Sequence, residues 1–348
     1  MPPRREDNPE GFSRSEKISP GAVPHRADAP EEPPRNHFRP GITFAPVAPD
    51  KVDPALRLIL AEPGAAAAGT LRLASFRRLA QDESYDLTRM LTAWRQEELL
   101  HACLFVPVPG RTAFIFTAPP PPGLPDAGQA QAIAAENLRQ LSAWAIKEGS
   151  QLLQVMTEPE DRARPEQCRA AGYRYLTDLI YLTRMMDKPV PAIPTPSDLT
   201  FLEYTPERHE LFLNTILDTY RDSRDCPELE NLRDPEDTLR GHMAAGIFEP
   251  ALWKLLTRQG RPAGVILLSR LKNEDLLELT YMGLVPEARG QGWGRVLLAQ
   301  GLHLAQKAGA NCLSLALDSR NEPAFRLYTG FSFTFLIRRG VWIFSPRW

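Results

Sequence analysis

Cysteine is scarce in this chain, with four in 348 residues. Cys103, Cys168, Cys226 and Cys312 stand far apart, with no Cys-x-x-Cys pair and no metal-ligand spacing to the six histidines. That pattern argues against a disulfide scaffold and a zinc module, and no metal is expected. It fits reduced thiols in a cytoplasmic protein. No apolar run approaches the roughly 20 residues that span a bilayer. The opening "MPPRREDNPEGFSRSEK" lacks the apolar core of a signal peptide, so no leader is expected. Neither sign of charge is in surplus, the formal net charge being −2. Composition therefore makes no case for a nucleic-acid or anionic-membrane partner. What is present is ordinary for a soluble globular chain: 43% hydrophobic and 24% charged residues. The length allows two domains.

Proline is plentiful, with 34 residues, and its placement divides the chain. Residues 1–40 are charged, Pro-rich and nearly free of aliphatic side chains. Such a segment cannot bury enough apolar surface to offset its ordering entropy, so a disordered tail is expected. Ordered sequence begins near "ITFAPVAPDKVDPALRLILAEP", and a helical pattern is read through "SYDLTRMLTAWRQEELL". Strand-like "HACLFVPVPG" and "RTAFIFTAPP" follow, then "PPPPGLPDAG", which forbids regular structure. A helix is expected from Gln129 to about Lys147, ended by Gly149. A strand, a short helix and a strand follow, up to the proline-stiffened "DKPVPAIPTPSD". The order then repeats, with a hairpin turning at Gln259-Gly260. "CRAAGYRYLTDLIYL" and "FRLYTGFSFTFLIRR" close the two halves alike. Two copies of one α/β unit are expected, over 41–187 and 198–348, joined by a linker at 188–197 and built as mixed sheets covered by helices.

In the second copy, "PEARGQGWGRVLL" joins a strand to a helix. Gly290, Gly292 and Gly294 crowd the turn, although glycine at such density costs backbone entropy. The first N–H groups of a helix lack intrahelical partners and carry the positive end of its dipole. Glycines let an anion approach them, and Arg289 and Arg295 would add charge. No Lys-Ser/Thr follows, so this is not a P-loop, and the glycine spacing is not that of a Rossmann turn.

The surrounding residues resemble the signature of the GCN5-related N-acetyltransferases (GNAT), here Arg289-Gly290-Gln291-Gly292-Trp293-Gly294. Leu284-Val285-Pro286 is similar to the end of that family's fourth strand. Downstream, Asn321, Ala324, Leu327 and Tyr328 match its Asn-x-x-Ala-x-x-Leu-Tyr segment. The usual closing Gly-Phe appears as Ser332-Phe333, a departure that touches packing. The resemblance spans 198–348 and implies two tandem GNAT-like units, each a mixed, mostly antiparallel sheet flanked by helices. It also implies that the loop's amides hold the pyrophosphate of acetyl-coenzyme A, the acyl donor. The backbones of Met282 and Leu284 would bond the pantetheine and acetyl group, and Asn321 would stand beside the cofactor. Helix capping accounts for Asn321 equally well. In the first copy the corresponding strand runs into Pro119 to Pro122, which have no N–H to offer a phosphate. That copy is expected to be degenerate. A tandem pair with one working unit resembles the architecture of the mycothiol synthases, a likeness that says little about substrate.

Acetyl transfer needs a neutral amine, and a lysine-like amine titrates near ~10. Glu278 is the candidate general base, four residues before Met282 and on the same face of the strand. Its position matches the base of the family's histone-acetylating members. Four residues is about 13 Å of strand, so it would act through water. A charged residue at a strand's solvated start would look the same. Asp222, Asp225, Glu228 and Glu230, in "YRDSRDCPELENLR", compete for the role or could bind a cationic substrate; a solvated loop is the alternative. The resemblance makes Tyr328 the general acid for the departing thiolate, with a core tyrosine as the alternative. Cys226 has no partner for nucleophilic catalysis. The expected activity is N-acetyl transfer by direct attack of a small-molecule or peptide amine. The rivals are a non-catalytic acyl-coenzyme A-binding regulator and an aminoacyl-tRNA-dependent acyltransferase.

Overall fold

The computed structural model describes residues 41–62, 67–230, 232–272 and 275–348; the expected disordered tail, 1–40, lies outside them. β1 (Ile42–Pro46) leads through α1 (Val52–Ile59) and α2 (Thr70–Asp82) to β2 (Met90–Arg95), β3 (Glu98–Val108) and β4 (Thr112–Thr117). α3 (Ala127–Lys147), β5 (Leu152–Thr157), α4 (Ala163–Ala170) and β6 (Arg174–Met185) follow. The second half repeats this order with β7 (Leu199–Glu203), α5 (His209–Tyr220), α6 (Pro235–Met243), β8 (Trp253–Arg258), β9 (Arg261–Arg270) and β10 (Leu276–Leu284). It closes with α7 (Trp293–Lys307), β11 (Cys312–Asp318), α8 (Glu322–Gly330) and β12 (Thr334–Phe344).

The helix expected over 84–100 is not there. That stretch holds β2 and the start of β3, with Gln96 at φ 53° in the turn between them. Met90 through Ala93 are buried on both faces of the sheet, so their apolar letters do not alternate. A strand buried on both sides loses the period of two that would distinguish it from a helix. The hairpin at Gln259-Gly260 is as expected, with both residues at positive φ.

The strands form one 12-stranded sheet in the order β1-β2-β3-β4-β5-β12-β6-β11-β10-β9-β8-β7. Among the described residues only β4–β5 and β10–β11 run parallel. The last strand of each half is lent to the other: β12 pairs with β5, and β6 pairs with β11. Core residues travel with them. Leu182 of β6 is buried in the second half's core and Trp342 of β12 in the first half's. Burial of such a side chain contributes roughly 1.5–3 kcal/mol, which ties each core to the other half's chain.

Between β6 and β7 the chain has no regular element. Arg184, 1% exposed, holds its start by donating to the carbonyls of Lys188 (3.0 Å) and Pro189 (2.9 Å) and to that of Phe331 (2.8 Å). A buried guanidinium is tolerated where its donors are filled in this way. At the β3–β4 turn Arg111 ion-pairs with Asp237 of α6, so the first half also braces a helix of the second.

Candidate functional site

β10 and β11 pair only from Leu276 to Leu279, opposite Cys312 to Leu315. β10 then stays on β9 as far as Leu284, while β11 stays on β6 as far as Asp318. The two strands therefore part. Between them lies a cleft of 590 Å³, bounded by residues 279–284, Ala316 and Leu317, with Tyr328 and Leu327 of α8 on one wall. A bulge starts the divergence: Thr280 is an extra residue between Leu279, opposite Leu268, and Tyr281, opposite Leu267.

The bulge corrects one expectation. Glu278 lies opposite Ser269 and Met282 opposite Ile266, three residues apart on β9. Positions an odd number apart on a strand face opposite ways, so Glu278 and Met282 are on opposite faces of the sheet. Burial alone pushes the Glu278 carboxyl up to about 7.

At the cleft's end the chain turns through 286–288 into α7. Gly290 (φ 73°) and Gly292 (φ 79°) are left-handed, and a Cβ on either would meet nothing within 4 Å. Glycine is there for the dihedral, and the space in front is open. Gly292 is the N-cap, with no side chain capping the helix. From Gly290 through Gly294 the N–H groups have no acceptor among the described residues; the first to find one is Arg295, on Gly292 O at 3.0 Å.

The side chains of this loop sit differently from expectation. Arg289 lines the cleft, yet its guanidinium donates to four carbonyls: Leu284 (3.0 Å), Thr219 (2.9 Å), Arg221 (2.8 Å) and Asp222 (2.9 Å). It braces the end of α5 against the cradle, which takes four of its five N–H donors. Trp293 is 8% exposed and packs in the core, with Arg258 over its ring at 5.2 Å. Gln291 donates to Glu287 O at 2.8 Å, and Arg295 lies over the Phe331 ring at 5.4 Å. Arg224, which the sequence reading passed over, lines the cleft mouth and makes no ion pair among the described residues.

Tyr328 is 5% exposed and its ring meets Phe333 edge-on at 5.7 Å. Burial, then the nearby Asp225 carboxylate, raise its hydroxyl far above the usual tyrosine value, so it is protonated at neutral pH. Asn321 both caps α8, accepting from Ala324 N at 3.3 Å, and lines the cleft. Asp222 and Asp225 line it too. Asp225 opens to the cleft but is ringed by protein. Its carboxylate accepts from Asp318 N at 2.9 Å, while burial and the Asp318 charge hold it above the ordinary range. Glu228 is spent elsewhere. It forms a two-pronged pair with Arg320 (2.6 and 2.9 Å), which also grips the fully buried Asp318, clamping the 221–230 loop to β11. The Cys226 N–H joins this clamp on Asp318 at 3.1 Å.

One position that shapes the cleft carried a signal in the letters. Gly283 is a glycine inside a strand, which marks a close approach. A Cβ there would lie 2.7 Å from both Thr219 Oγ1 and Tyr281 Oη. Those hydroxyls bond each other at 2.7 Å and line the cleft.

The first half has a corresponding but altered cleft. β4 and β5 pair from Thr112 to Ile115 and then part around 320 Å³. Arg164 fills its edge, donating to the carbonyls of Thr117 (2.8 Å), Ala61 (3.0 Å) and Ile59 (3.3 Å). The start of α3 is capped by the Asp126 carboxylate, on Gly128 N at 2.8 Å, so an anion would meet a negative charge there.

Residues 216–333 match the model of the acetyltransferase (GNAT) family and are a domain of that family. Among curated relatives, a mycothiol acetyltransferase of Thermomonospora curvata is 32% identical over 166 residues, 47% of this chain and 54% of that protein. Another, of Thermobispora bispora, is 30% identical over 161 residues, 44% of this chain and 52% of that protein. The chain thus spans about half the length of these relatives. A crystal structure of a GCN5-related N-acetyltransferase from Sphaerobacter thermophilus is similar in fold, with a TM-score of 0.59 at 16% identity, covering 89% of this chain and 97% of that one. Among the described residues no helix is long and apolar enough to cross a membrane.

Proposed function

We propose that the second half transfers an acetyl group from acetyl-coenzyme A to a primary amine by direct attack. The observation that carries this reading is the run of partnerless N–H groups from Gly290 to Gly294 at the start of α7, beside the parted strands. Backbone donors at a helix N-terminus suit a pyrophosphate. The cleft leading away from them suits the pantetheine, with the edge of Met282 to Leu284 alongside. The two units are taken to be 41–187 and 198–348, joined at 188–197. The smaller cleft of the first, edged by Arg164, and its acidic helix cap support a single cofactor site.

In this reading the amine nitrogen attacks the thioester carbon and the carbon–sulfur bond breaks. Tyr328 gives its proton to the departing thiolate, and the amine's proton passes through water to Glu278. Asp222, Asp225 and Arg224 shape the mouth through which the acceptor enters. The names of the curated relatives make a mycothiol-type acceptor the first to assay. Thiol release from acetyl-coenzyme A over a panel of amines tests the proposal; no release with any amine would refute it.

The same assay reads Glu278 through pH. A base is active when deprotonated, so the rate should rise with pH through about 7, where burial has moved this carboxyl. Glu278→Gln should lose that limb, leaving a rise set by the amine's own deprotonation, nearer ~10 for a lysine-like amine. An unchanged profile would take Glu278 out of the proton path.

A further inference from the structure

The loop from Arg221 to Glu228 crosses the mouth of the cleft and is tied down at both ends. On the cradle side Arg289 donates to the carbonyls of Arg221 (2.8 Å) and Asp222 (2.9 Å). On the β11 side the Asp225 carboxylate accepts from Asp318 N, the Cys226 N–H donates to Asp318, and Glu228 pairs with Arg320. Between these anchors Ser223 N donates to Tyr220 O at 3.0 Å, and Asp225 N donates to Ser223 Oγ at 3.1 Å. Asp222 (φ 53°) and Cys226 (φ 49°) are left-handed, a conformation that a residue with a side chain adopts only where its surroundings hold it. Side chains on a loop fixed in this way are presented in set positions.

Three charged side chains of this loop, Asp222, Arg224 and Asp225, line the cleft. Asp225 gives one carboxylate oxygen to Asp318 N, whereas the Asp222 and Arg224 side chains make no hydrogen bond or ion pair among the described residues. The other guanidinium groups around the mouth are engaged: Arg289 by carbonyls, Arg320 by Glu228 and Asp318, Arg221 by Asp218 and Glu287. The mouth therefore offers a free guanidinium flanked along the chain by two carboxylates. We infer that Arg224 determines acceptor specificity by binding an anionic group of the acceptor, which is a primary amine bearing a carboxylate or phosphate a few bonds away. This rests on the proposed function and adds the acceptor class to it. The ammonium of such a zwitterion is drawn to Asp222 and Asp225, and its anion matches the planar fork of Arg224. An uncharged acceptor would displace water from the guanidinium and give nothing in return.

The test compares β-alanine with β-alaninamide, the same skeleton with and without the negative charge, at saturating acetyl-coenzyme A. O-phosphoethanolamine is run beside them to tell phosphate from carboxylate. The ratio of kcat/KM for the charged amine to that for the amide is the readout. Wild type should favour a charged amine, less so at high ionic strength, where a solvent-facing pair is screened. Loss of one partly exposed charge-assisted bond should cut the ratio about three- to tenfold in Arg224→Gln. Arg224→Lys should keep part of the preference and Arg224→Glu should reverse it. Equal ratios in wild type and Arg224→Gln for both anions would overturn the inference. So would a weaker calorimetric affinity of Arg224→Gln for acetyl-coenzyme A with the ratio intact, since the anion would then be the cofactor's. NMR line broadening of β-alanine and β-alaninamide in the presence of coenzyme A needs no turnover. There wild type should prefer β-alanine and Arg224→Gln should not; no preference in wild type, checked with O-phosphoethanolamine as well, would also overturn it. Failure of thiol release with every amine, by contrast, falls on the function proposed for the cleft.

Discussion

Gly292→Asp should keep its fold and lose acetyl-coenzyme A binding. Gly292 is left-handed, a conformation that aspartate adopts more readily than most residues. Its Cβ would meet nothing within 4 Å, so the substitution costs little in packing. The new carboxylate would project into the space in front of the cradle, where the pyrophosphate is proposed to sit. Two like charges about 4 Å apart repel by about 4 kcal/mol at the effective dielectric of a protein surface. That corresponds to roughly a thousandfold in affinity. Calorimetry on a variant shown to be folded at the assay temperature checks it. Affinity equal to wild type would remove the loop from the site.

Tyr328→Phe should lower turnover by about 10²–10⁴ with nearly unchanged affinity for acetyl-coenzyme A. The change deletes a hydroxyl and little volume, and the edge-on contact with Phe333 survives it. What is lost is the proton for the thiolate. An interaction made only in the transition state lowers turnover without weakening the ground state. Single-turnover thiol release, which isolates chemistry from product release, is the measurement. Full turnover there would leave Tyr328 as a wall of the cleft and nothing more.

The cradle was legible in the letters because its requirement is local. A left-handed turn opening a helix needs glycine, and Gly290 and Gly292 state that need by their identity. The element order from β3 onward was legible for the same reason; before it β1 and α1 were read only as ordered sequence, and β2, buried on both faces, concealed its period. Pairing between distant strands has no local signature. The exchange of β6 and β12 depends on which apolar strand reaches which edge, and nothing within either strand names its partner. The bulge at Thr280 is also invisible in an alternating run, and it reversed the face assigned to Glu278. Arg289 and Trp293 belong to the signature stretch but serve it indirectly. One is consumed by backbone carbonyls and the other by the core, destinations that the spacing of letters does not encode. Glu228 reads as a free acid until β11 brings Arg320 beneath it.

The central claim is that this chain holds one acyl-coenzyme A cradle, at the start of α7, and that the first half's counterpart is narrowed by Arg164 and capped by Asp126. Calorimetric titration of the full chain with acetyl-coenzyme A tests it most directly. The account predicts a stoichiometry of one per chain, unaffected by Asp126→Ala and abolished by Gly292→Asp. Two equivalent sites, or one site that survives Gly292→Asp, would contradict it.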